Sequence, residues 1–123
     1  MKWGLNYLIN FTNYSLRHYW RNNGKMINVT DDTFEVGSEP TVLYFWVPWA
    51  APCKVVNVIL KKLDDGRCRF CAVCADTELS ITARYRIISA PYLIFLKGDY
   101  VSSLCGNHSE GKIKERIDRL LEV

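Results

Sequence analysis

The segment Thr41–Val47 is an almost unbroken apolar run, and it leads through Pro48-Trp49-Ala50-Ala51-Pro52 into Cys53–Leu63. In that second stretch Val55, Val56, Ile59, Leu60 and Leu63 recur at helical intervals. An apolar run without polar alternation is the pattern of a strand buried on both faces, and such a strand needs a layer on either side of it. Pro52 falls where a first helical turn tolerates the missing N–H. Strand, tight turn and helix in immediate succession therefore predict an α/β domain built on a central sheet.

The remainder of the chain extends the same alternation. Ile27–Val29 reads as a short strand, and Thr30-Asp31-Asp32 offers N-cap chemistry for a short helix through Phe34. Asp64-Asp65-Gly66 ends the helix after Pro52, Cys68–Ala75 reads as a strand, and Glu78–Tyr85 as a helix. Tyr92–Leu96 and Val101–Cys105 flank Lys97-Gly98-Asp99, a hairpin signal. Ser109 then caps a last helix with Ile113, Ile117, Leu120 and Leu121 on one face. The expected order is βαβαβαββα: a mixed sheet flanked by helices, with an antiparallel hairpin at one edge.

At 123 residues the chain suits a single core. Two regions are expected: residues 1–25 as an N-terminal extension and 26–123 as the folded domain. The extension holds Lys2, Arg17, Arg21 and Lys25 with no acid, a charge of +4, while residues 26–123 hold 12 bases and 13 acids, a charge of −1. Trp3, Tyr7, Phe11 and Tyr14 lie at helical spacing in the extension, which is read as an extra helix. A partner or membrane-surface contact and an organellar targeting segment are the other readings of this stretch. Asn6, Asn10, Thr12 and Asn13 interrupt the apolar residues, so neither a signal-peptide core nor a membrane span is expected. The net charge of +3 is too small to argue for nucleic acid.

Cysteine usage points to a reducing compartment. The five cysteines form an odd set, which argues against a fully disulfide-stapled secreted domain. Cys68, Cys71 and Cys74 have the spacing of metal ligands, but on a strand residues three apart point to opposite faces. They are read as buried apolar cysteines, and no metal or other cofactor is expected.

Three separated segments carry a family resemblance. Phe45-Trp46-Val47-Pro48-Trp49 with Pro52-Cys53-Lys54, then Ser89-Ala90-Pro91-Tyr92-Leu93-Ile94-Phe95, then Lys97-Gly98-Asp99 with Gly106 resemble a thioredoxin over residues 26–123. The resemblance implies the thioredoxin fold, with helices one and two about a turn shorter than usual. It implies a cis bond before Pro91, with the Ala90 backbone beside the site. It also implies a groove for protein segments lined by Trp49, Ala51, Pro52, Ala90, Pro91, Cys105 and Gly106.

The same resemblance exposes a departure. Dithiol thioredoxins carry Trp-Cys-x-Pro-Cys-Lys, whereas this chain reads Trp-Ala-Ala-Pro-Cys-Lys. By position Ala50 takes the nucleophile's place and Cys53 the resolver's; an alanine cannot attack a disulfide. Tyr44 and Ala72 stand where the resemblance places a buried aspartate and a lysine. The expected function is binding of protein segments without dithiol turnover, in the cytoplasm or an organelle matrix. Two other readings stay open. One is an active protein-disulfide reductase, partnered by a thioredoxin reductase, whose first cysteine was replaced to give Ala50. The other is monothiol exchange through Cys53.

Overall fold

A computed structural model describes residues 26–31, 34 and 36–123. The elements are β1 (Ile27–Asn28), β2 (Thr41–Trp46), α1 (Ala51–Leu63), β3 (Arg69–Cys74), α2 (Leu79–Arg84), β4 (Tyr92–Lys97), β5 (Tyr100–Cys105) and α3 (Glu110–Glu122). The N-terminal extension lies outside the described residues. So does most of the short helix expected through Phe34, since residues 32 and 33 are not described.

The strands form one sheet in the order β1-β3-β2-β4-β5. β1, β3 and β2 run parallel, with Ile27 opposite Cys71 and Leu43 opposite Cys71 on its other side. β4 is antiparallel to β2 and to β5, which makes the sheet mixed. β2 lies at the centre and is buried along almost its whole length, as its uninterrupted apolar run requires.

Alternation along the strands builds two cores, one on each face. Val42, Tyr44, Phe70, Ala72 and Leu93 pack with Val56 and Leu60 of α1 and Ile113, Ile117 and Leu120 of α3. Leu43, Phe45, Cys71, Val73 and Ile94 pack with Ile81 of α2, together with Val29 and Phe34. Phe45 and Phe95 are fully buried on opposite faces, and truncating either to alanine would cost about 3–5 kcal/mol. Cys68 and Cys71 likewise join opposite cores.

Local chemistry explains the element ends. α1 begins at Ala51, with Pro52 inside the first turn, where its missing N–H is tolerated. The β4–β5 loop is Gly98-Asp99 rather than three residues: Lys97 pairs with Tyr100, and Gly98 supplies φ +59 at the first loop position. Ser109 Oγ accepts the Lys112 N–H at 3.2 Å and caps α3. Among the described residues no helix is long and apolar enough to cross a membrane.

Candidate functional site

Sheet register gathers four loops at one end of the molecule. Phe45 of β2 pairs with Tyr92 of β4, and Tyr92 pairs with Cys105 of β5. Consequently the turn after β2, the Ile87–Pro91 loop before β4 and the Gly106–Ser109 loop after β5 all emerge together. The turn after β3 joins them, since the Ala75 N–H donates to the Trp46 carbonyl at 2.8 Å.

The turn after β2 presents Trp49, which is 70% exposed. Ala50 is the N-cap of α1, with extended backbone and no side-chain cap. The Cys53 N–H donates to the Ala50 carbonyl at 3.0 Å, closing the first turn. Ala51 and Pro52 are exposed, whereas Cys53 is only 3% exposed. The place that the sequence pattern assigns to a nucleophile therefore carries a methyl group, and the only sulfur of this turn is covered.

Beneath this turn lies Tyr44. Its hydroxyl donates to the Cys53 carbonyl at 2.6 Å, and its register partner on β3 is Ala72. Burial, and then the neighbouring Cys53, push the phenol well above its ordinary value, so it stays neutral. The buried position under the helix thus holds a hydrogen-bond donor and no carboxylate.

On the β4 side, the Ala90–Pro91 peptide is cis. Pro91 is buried, Ala90 is half-buried, and the Pro91 carbonyl accepts the Gly106 N–H at 2.9 Å. Gly106 has φ +88, a conformation that suits glycine. Cys105 is exposed, and its sulfur lies 3.4 Å from Ser89 Oγ. His108 is half-buried and places Nε2 2.9 Å from the Cys105 carbonyl.

Two features of this end escaped the sequence reading. Ile88 is 95% exposed in the loop before Ala90, and Ser89 meets Cys105. The signal for Ile88 was its position between the α2 terminus and Pro91, outside any strand period. All five cysteines are free thiols. Among the described residues no group of three or more potential ligands is placed to hold a metal ion.

A family model described as Thioredoxin matches residues 25–119. The chain belongs to the thioredoxin family. Among curated thioredoxins, it is 29% identical over 102 residues to the chloroplastic M-type protein of Brassica napus, an alignment covering 76% of this chain and 58% of that one. Thioredoxins of Staphylococcus epidermidis and Bacillus subtilis match at 29% and 28% identity, covering 78% of this chain and 98% of each. The crystal structure of Malassezia sympodialis thioredoxin superposes with a TM-score of 0.72 at 20% identity, over 80% of this chain and 92% of that chain. At that identity the superposition speaks for the fold alone. Against this thioredoxin background, the turn of this chain reads Trp49-Ala50-Ala51-Pro52-Cys53-Lys54.

Proposed function

We propose that this thioredoxin-family protein binds extended segments of partner proteins at the end of the sheet where Trp49, Ala51, Pro52, Ala90, Pro91, Cys105 and Gly106 emerge, and that it does not turn over disulfides as a dithiol reductase. The observation that carries the reading is the pairing of Ala50 at the helix N-cap with a Cys53 that is 3% exposed. Disulfide exchange begins with attack by an accessible thiolate, and this turn has none to offer. The surface around it is nevertheless suited to contact. Trp49 and Ile88 expose large apolar side chains, and Ala90 offers backbone groups to an incoming strand. The five free thiols favour a reducing compartment, the cytoplasm or an organelle matrix. Residues 1–25 are an extension to this binding domain.

Insulin provides both arms of the test. With dithiothreitol as the electron source, the protein should leave the rate of insulin reduction at the uncatalysed level. With the reduced, alkylated insulin B chain as an extended probe, amide shifts should change at Trp49, Ala90 and Gly106. Catalysed turnover, or shifts confined to another surface, would refute the reading.

A further inference from the structure

Among the described residues, Tyr44 of the central strand sends a side-chain hydrogen bond into α1. Its ring packs in the core shared with α1 and α3, 3% exposed, and the small side chain of Ala72 beside it leaves room for that ring. A tyrosine hydroxyl in such a core is costly unless it finds a partner. Here the partner is the Cys53 carbonyl, 2.6 Å away in the first turn of α1. A helical carbonyl has two lone pairs, so it accepts the phenol without giving up its place in the helix.

This bond matters because the start of α1 has little else to hold it. Ala50 supplies no side-chain acceptor at the N-cap, and Pro52 supplies no N–H. Helix ends fray, and the end of a helix without a cap opens at low free-energy cost. Opening here would lift Cys53 toward solvent.

We propose that Tyr44 is a positioning residue: its hydroxyl pins the first turn of α1 through the Cys53 carbonyl and so keeps the Cys53 sulfur below the surface, out of reach of a partner's disulfide. The phenol is suited to the task because burial keeps it neutral and able to donate. One residue then both fixes the shape of the turn after β2 and silences the sulfur of that turn. The proposal rests on the binding reading in taking Cys53 as silent, and its test reads access to that sulfur rather than turnover.

The chain carries its own controls. Cys68 and Cys71 are buried at β3 and report global opening, while Cys105 is exposed and reports the intrinsic rate of the reagent. In Tyr44→Phe, iodoacetamide should label Cys53 about tenfold faster under native conditions, the ratio supplied by one buried hydrogen bond of typical strength. Labelling of Cys68, Cys71 and Cys105 should stay unchanged, which a general loss of stability would not allow. An unchanged slow rate at Cys53 overturns the role of Tyr44 alone. A parallel rise at Cys53, Cys68 and Cys71 also overturns it, because the hydroxyl would then serve the whole core. Rapid labelling of Cys53 in the unaltered protein overturns this proposal and the binding reading together.

Discussion

The carboxylate of Asp31 accepts a 2.8 Å hydrogen bond from the backbone N–H of Ile81, the third residue of α2. In return the Asp31 N–H donates to Glu78 Oε1 at 3.0 Å. Glu78 is the N-cap of α2 but makes no side-chain cap of its own. The two residues thus reproduce a capping box with its halves taken from distant parts of the chain. Replacing Asp31 by alanine should lower unfolding stability by about 1–2 kcal/mol, and Asp31→Asn should lose much less because the acceptor remains. Urea denaturation measures both; an unchanged midpoint for Asp31→Ala would refute the cap.

The opposite end of α2 carries strain. Arg86 has φ 56, and it sits in a left-handed cap in which the Ile87 N–H reaches the Thr82 carbonyl at 3.1 Å and the Arg86 N–H reaches Ala83 at 3.0 Å. A side chain in that conformation costs roughly 1–2 kcal/mol, part of which glycine returns as unfolded-state entropy. Arg86→Gly should therefore raise stability by about 0.5–1 kcal/mol. Thermal unfolding would show a small upward shift, and a fall would mean that the Arg86 side chain makes a contact worth more than the strain.

Cys71 sets an alkaline limit on stability. Burial pushes its thiol up from 9.0 to about 11. The unfolded chain therefore loses this proton first as pH rises, so between those two values the folded state binds more protons than the unfolded state. Stability is fully present below about pH 9 and falls above it, by about 1.4 kcal/mol per pH unit from this group, until the folded thiol itself ionises. Tyr44, also raised, adds to the fall at higher pH. Cys71→Ala should start from a lower stability and show a shallower decline, read from urea midpoints across this range. An equally steep decline would remove Cys71 from the account.

Restoring a sulfur should restore little chemistry. Ala50→Cys places a thiol at the N-cap of α1, but the neutral Tyr44 hydroxyl beneath it accepts no proton from Cys53. Positioned acid–base groups contribute roughly 10²–10⁴-fold to such transfers. Insulin reduction by Ala50→Cys should be detectable and remain at least about tenfold below that of the Bacillus subtilis thioredoxin assayed in parallel. Activity equal to that enzyme would show that the chain is a reductase lacking only one atom of its machinery.

Much of this architecture was legible without coordinates. The run Thr41–Trp46, the helical spacing after Pro52, the cap at Ser109 and the turn around Gly98 rest on backbone preferences and burial patterns that act within a few residues. They fixed the elements to within about two residues, the ordinary uncertainty of a helix end. The residues of the binding end were legible for the same reason, since Trp49, Ala50, Pro52, Cys53 and Pro91 are read as local motifs. What they meet was not. That Asp31 caps a helix 50 residues away and that Tyr44 bonds a carbonyl nine residues on depend on how helices dock on the sheet. Exposure followed the same division: Cys53 is covered while Cys105, Trp49 and Ile88 are open. Sequence periodicity determined which face of each element is apolar, because side-chain direction repeats with the backbone. Only the packed structure decided which polar groups pair across that core, because a hydrogen bond between distant residues forms only when sheet register and helix docking bring donor and acceptor within about 3 Å.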